Sequence, residues 1–160
     1  MRKDLEALYQ SKFITVQQAL DMVQDGDIVY HGFYGNEPRN LLRQFHTIAD
    51  RVNHVDIWCT NPDEEYQFIT DDSIGNKIEV YSVFYGPLLR RVHSSGRIHY
   101  VPHHIHAAVP MIKECGATPN IFFASVTPPD EYGYVYMSGS QQTEAEVFEI
   151  CDLKIFEVNE

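Results

Sequence analysis

Apolar residues recur along this chain with two periods, and the switches between them mark its elements. Thr15 and Gln18 have the spacing of a capping box, and Val16, Ala19, Leu20 and Val23 then fall on one helix face that ends near Gly26. A short apolar run follows, Asp27-Ile28-Val29-Tyr30, with strand character. Pro38 opens a second helix, on which Leu41, Leu42, Phe45, Ile48 and Ala49 form one stripe. Val55, Ile57 and Cys59 alternate within His54 to Cys59 as in a half-buried strand, and Lys77 to Phe84 reads as the next. Residues 62 to 76 between them are acidic and turn-rich, with Phe68 and Ile69 as a local patch. Leu88, Leu89 and Val92 mark a short helix stopped by Ser94-Ser95-Gly96, and Ile98 to Val101 a brief strand. The segment His103 to Gly116 is predicted helical with a bend or restart at Pro110, and Ile121 to Val126 is apolar enough for a strand buried on both faces. A stiff turn, Thr127 to Gly133, leads into Tyr134 to Met137. A helix over Gln142 to Cys151 is expected to bury Val147, Phe148 and Cys151, and Leu153 to Val158 is a last strand. Strands alternating with helices predict an α/β domain with a largely parallel sheet flanked by helices on both faces.

Within that pattern the stretch from Asp27 to Pro38 is the centre of interest, because it reads as strand, glycine loop and helix. Such a loop places backbone N–H groups and a helix N-terminus at the carboxyl end of a strand, where a carboxylate, phosphate or developing oxyanion can be held. Gly32 and Gly35 are equally explained as loop residues at positive φ. Composition narrows the classes. The 160 residues suffice for one domain, and 44% hydrophobic residues describe a globular chain. No apolar run approaches the ~18 residues of a membrane span, and the N-terminus lacks the apolar core of a signal peptide, so a soluble cytoplasmic protein without membrane attachment is expected. A formal charge of −11 argues against nucleic acid as a partner, and leaves Arg90, Arg91 and Arg97 as the one basic cluster. Cys59, Cys115 and Cys151 lack metal or disulfide spacing and read as buried thiols.

Several separated stretches resemble the N-terminal domain of the acetyl-CoA hydrolase/transferase family, which includes 4-hydroxybutyrate and butyrate:acetate CoA-transferases. They are Gly26-Asp27-Ile28-Val29 with Gly32 and Pro38, Phe84 with Arg90, Gly96 to Pro102, Ser125 to Tyr134, and Phe156-Glu157-Val158-Asn159. The strongest of these is Ser125-Val126-Thr127-Pro128-Pro129-Asp130-Glu131-Tyr132-Gly133-Tyr134, which resembles the family's Ser-Pro-Pro-Asp-x-x-Gly-Tyr turn, ahead of Gly96-Arg97-Ile98-His99-Tyr100-Val101-Pro102. The resemblance implies a CoA-transferase-like fold, with residues 1–160 as a single N-terminal domain and the active site in a cleft against a C-terminal domain absent from this chain. In that family a glutamate of the C-terminal domain attacks an acyl-CoA and CoA passes to a carboxylate, so coenzyme A is a substrate of the parent enzyme rather than a bound cofactor. Carried over, Gly32, Phe33, Tyr34, Gly35, Asn36, Glu37 and Pro38 would line the acyl or carboxylate end, with N–H groups near Phe33 and Tyr34 as oxyanion donors. Tyr85 and Gly86 would face the same cleft. Phe84-Tyr85-Gly86-Pro87 departs from the family pattern, as does Ser138, which stands where a glycine is usual. The chain stops directly after an apolar strand, which suggests truncation, and an apolar face exposed by the missing domain would favour a homodimer.

Other chemistry is weaker. His99, His103, His104 and His106, with His31, offer pairs of imidazoles but no third ligand close in sequence, so a metal-dependent hydrolase is disfavoured against polar surface histidines. Glu64, Glu65, Glu144, Glu146 and Glu149 read as solvated faces, and Glu37 as a cap on the helix that Pro38 opens. Cys59 with His54 could be drawn as a thiol-imidazole pair on residue types alone. A stand-alone module that binds a small anion through the Gly32 to Pro38 loop is the alternative to a transferase domain.

Overall fold

A computed structural model describes residues 3–159. Six parallel strands form one sheet: β1 (Ile28–His31), β2 (Val55–Cys59), β3 (Ile78–Ser82), β4 (Ile98–Tyr100), β5 (Ile121–Val126) and β6 (Leu153–Val158), in the order β4-β3-β2-β1-β5-β6. The order matters for function. From β1 the chain builds outward to β4, then returns to the other side of β1 for β5 and β6. The reversal between β1 and β5 opens a crevice at the carboxyl edge, the usual place for a ligand in an open α/β sheet.

The helices are α1 (Lys3–Gln10), α2 (Val16–Asp21), α3 (Arg39–Gln44), α4 (Gln67–Thr70), α5 (Pro87–Arg91), α6 (Ala108–Glu114) and α7 (Glu144–Ile150). On one face α2 and α3 cover Val29, Ile57, Val80 and Phe123, and on the other α6 and α7 pack on Tyr30, Trp58, Phe122 and Ala124. β5 contributes to both clusters, which is why it carries an unbroken apolar run. The capping box at α2 is present, Thr15 accepting from the Gln18 N–H while the Gln18 side chain accepts from the Thr15 N–H.

Several expectations need correction. Phe68 and Ile69 are not a local patch; both lie in the core within α4. They are held there by Arg97, which is itself 1% exposed and donates to the carbonyls of Phe68, Ile69 and Asp71. Arg97 is therefore structural and does not belong to a surface basic cluster. The expected helix from His103 is a 3-10 turn over Ile105–Ala107, with α6 starting at Ala108, so Pro110 lies in a first turn where no N–H is missed. Phe148 is partly exposed, and Cys115 is exposed while Cys59 and Cys151 are buried. α1, which the pattern did not suggest, rests Leu5 and Tyr9 against Gly133 in the loop after β5.

Candidate functional site

Three loops meet at the carboxyl edge, and buried polar groups fix them to one another. The β1 loop turns sharply at Tyr34, the one non-glycine residue among those described with a left-handed backbone, φ 50°. Gly32 and Gly35 do not have positive φ, so the loop-glycine reading fails in that form. Each is glycine because of close approach. A Cβ on Gly32 would lie 2.5 Å from the Asn36 carbonyl oxygen, and one on Gly35 would lie 2.6 Å from Ser138 Oγ in the β5 loop. Asn36, wholly buried, accepts from the Ser138 N–H at 2.6 Å and closes the same seam.

Glu144, expected on a solvated face, is 1% exposed at the start of α7. Its Oε1 accepts from the Phe33 N–H at 2.9 Å, and its Oε2 from the N–H groups of Gln142 and Thr143 at 2.6 and 3.0 Å. Thr143 in turn hydrogen-bonds the hydroxyl of Tyr30 at 2.8 Å. The Phe33 N–H is thus spent on the domain's own carboxylate and is withdrawn as an oxyanion donor. Sequence offered a signal in the Thr143-Glu144 pair at a helix start, where a carboxylate meets N–H groups, but not its partner in the β1 loop.

Glu37 also behaves differently from a helix cap. Its carboxylate accepts from the Asp63 N–H at 3.2 Å and so ties the β1 loop to the β2 loop. The buried Tyr66 hydroxyl faces it without a well-formed hydrogen bond. Burial pushes the Glu37 carboxyl up to about 7, with the Asp63 N–H acting against that shift. The cap on α3 is Glu157 of β6, which accepts from the Asn40 and Leu41 N–H groups at 2.9 and 3.0 Å. The N-terminus of α3 is therefore occupied and does not hold an outside anion. The Asn36 and Glu37 N–H groups bond within the loop turn, to Phe33 and Tyr34 carbonyls. Among the described residues this leaves the Tyr34 and Gly35 N–H groups without a protein partner at the crevice.

Gly86 sits at the start of α5 against the Asn61 side chain, where a Cβ would collide, so the β2 and β3 loops are also in contact. Tyr85 stacks on Tyr100, with ring centroids 5.2 Å apart, and its hydroxyl meets His93. His31, buried at the end of β1, donates Nδ1–H to the Gly32 carbonyl and is kept neutral by burial, its pKa lowered to about 4. Burial likewise raises the Cys59 thiol to about 12, an inert side chain and not half of a catalytic pair. Two surface depressions, of about 270 and 360 Å³, are lined by other residues, and neither takes in the Gly32 to Pro38 loop.

An all-parallel sheet with helices on both faces and a braced glycine loop at its switch point defines an α/β domain of the doubly wound class. The chain belongs to the acetyl-CoA hydrolase/transferase family: the model of that family's N-terminal domain matches residues 1–160. A probable butyrate:acetyl-CoA coenzyme A-transferase of Syntrophomonas wolfei is 25% identical over 152 residues, which are 95% of this chain and 34% of that protein. A 4-hydroxybutyrate coenzyme A transferase of Clostridium kluyveri is 23% identical over 158 residues, 96% of this chain and 36% of that protein. This chain thus spans about a third of the length of these relatives. The fold is shared with RipA from Yersinia pestis (TM-score 0.85, 23% identity, 98% of this chain and 38% of that one). It is shared also with a 4-hydroxybutyrate CoA-transferase from Porphyromonas gingivalis (TM-score 0.65, 15% identity, 97% of this chain and 35% of that one).

Proposed function

We propose that this chain is the N-terminal domain of an acyl-CoA:carboxylate CoA-transferase, or of an acyl-CoA hydrolase, and supplies one wall of the acyl and carboxylate site. The observation that supports this most directly is the β1 loop tip, where Tyr34 is held at φ 50° and, among the described residues, two adjacent N–H groups have no protein partner. Acyl transfer from a thioester builds charge on the carbonyl oxygen, and backbone donors already fixed in place stabilise it without rearrangement. In this reading the Tyr34 and Gly35 N–H groups contact that oxygen, Phe33 and Tyr34 flank the acyl chain, and Gly32, Asn36, Glu37 and Pro38 hold the loop. Tyr85 and Gly86 form the far rim. Glu37 and Glu144 are both committed to backbone N–H groups of the domain, which favours placing the attacking glutamate on a further domain. Coenzyme A is then a passing substrate. The names of the relatives make butyrate and 4-hydroxybutyrate the first acyl groups to test.

Residues 1–160 are expected to show no turnover with acetyl-CoA and butyrate, while amide chemical shifts at Tyr34 and Gly35 move on titration with butyrate or butyryl-CoA. Measurable turnover by these residues would refute the placement of the nucleophile, and shifts confined to other loops would refute the site. Equal responses to acetate, butyrate and phosphate with none to the CoA thioester would mark a plain anion-binding module instead.

A further inference from the structure

We propose that His54, Asp56 and Glu79 form a divalent-cation site near the amino ends of β2 and β3, at the end of the sheet remote from the candidate crevice. Each offers one ligand atom, and the three atoms lie within 4.8 Å of one another. Asp56 and Glu79 are direct partners in the parallel register of β2 and β3, so two partly buried carboxylates stand side by side. Like charges in that position repel unless a cation lies between them. Among the described residues neither is paired with a lysine or arginine; their only charged-type neighbours are His54 and His99.

The hydrogen-bond pattern is that of metal ligands. His54 Nδ1 lies 3.1 Å from the Asn76 carbonyl oxygen, which can only accept, so Nδ1 carries a proton and the ring is oriented with Nε2 toward Asp56. Nε2 lies 2.8 Å from Asp56 Oδ1, a buried atom that without a metal is met only by this imidazole, as an ion pair. A metal ion that displaces the Nε2 proton can therefore take both atoms as ligands. A backbone carbonyl behind a histidine is the usual way of orienting a ligating imidazole, and ligating carboxylates are similarly braced from behind. Glu79 Oε2 has such a brace in the Tyr81 hydroxyl at 3.2 Å and His99 Nε2 at 3.0 Å. The cluster borders a depression of about 360 Å³ lined by Ile28, Asp56, Trp58, Tyr81 and Val101, which gives an ion an entry path and room for water ligands. One imidazole and two carboxylates suit a borderline ion such as Zn²⁺ over Ca²⁺ or Mg²⁺, which prefer oxygen alone. Bound there, the ion would clamp β2 to β3.

The test is titration of purified, chelator-treated protein with Zn²⁺ by calorimetry, and with Co²⁺ by visible absorption. One equivalent is expected, with His54→Ala and Glu79→Gln each losing at least tenfold in affinity. Tyr81→Phe keeps the ring stacked on Trp58 and His99 and removes only the hydroxyl that braces Glu79, and should lose about tenfold in metal affinity. Circular dichroism establishes that each variant folds, and His54, a half-exposed side chain, is the mild substitution. Absence of saturable binding to the unaltered protein overturns the proposal. So does affinity unchanged in both His54→Ala and Glu79→Gln, which would place the ion elsewhere, such as at His103 to His106.

Discussion

Glu144, 1% exposed, receives three backbone N–H groups, one from Phe33, 111 residues before it, and two from Gln142 and Thr143 beside it. Its replacement by alanine leaves those donors buried and unpaired, each at a cost of about 1–3 kcal/mol where water does not enter. Glu144→Ala is therefore expected to destabilise the domain by about 3 kcal/mol or more in urea unfolding, and a loss under about 1 kcal/mol would show that the β1 loop does not depend on it. Glu37 gives a pH signature. Its folded-state carboxyl is raised from 4.5 to about 7, so the folded form holds the proton more tightly than the unfolded chain. The stability this contributes is fully present below about pH 4.5 and is lost as pH rises through about 7, a change on the order of 3 kcal/mol. Glu37→Gln cannot ionise and should flatten that part of the stability profile. Parallel profiles for the two proteins between about pH 4.5 and 7.5 would contradict the assignment.

At the scale of elements, the β1 and β5 loops meet with so little clearance that one atom decides the fit. Gly35→Ala places a Cβ 2.6 Å from Ser138 Oγ and 3.0 Å from Ser138 Cβ, and overpacking of this kind costs about 1–3 kcal/mol. Adding Ser138→Gly removes both atoms, so the double variant should recover most of the loss in a thermal-denaturation cycle. Additive effects would mean that the strain is relieved elsewhere. The sheet was legible in the sequence because its strands show period two or, in β5, an unbroken apolar run, and α2 because its cap and stripe agree. α4 was not legible, since the group that encloses Phe68 and Ile69 is an arginine 28 residues later, and no hydrophobic pattern announces that. α1 was missed because it packs on a loop tip at Gly133 rather than on the sheet. Of the site, the glycine loop was legible from its own residues. Glu144, which takes the Phe33 N–H of the loop, and Glu157, which takes those of Asn40 and Leu41 in the helix after it, come from distant elements and were not.

For the whole molecule, the loops after β1, β3 and β5 carry Tyr34, Phe84, Tyr132, Tyr134 and Tyr136 at 51 to 67% exposure. Aromatic rings gathered on one edge favour burial against a further surface. Residues 1–160 alone are expected to self-associate, with a weight-average mass in light scattering that rises with concentration, and Phe84→Ser should reduce that rise. A constant monomer mass at high concentration would argue against the edge as a contact surface. No described helix is long and apolar enough to cross a membrane, in line with the hydropathy of the chain.

The strand order also has a consequence during synthesis. β1 takes β2 as its neighbour within 31 residues, but its other flank waits for β5, whose first residue is 90 positions beyond the end of β1. While the ribosome is still producing the intervening segment, Val29 and Tyr30 present an unfinished, adhesive border, and nascent chains that end before Val126 should be the ones that chaperones retain.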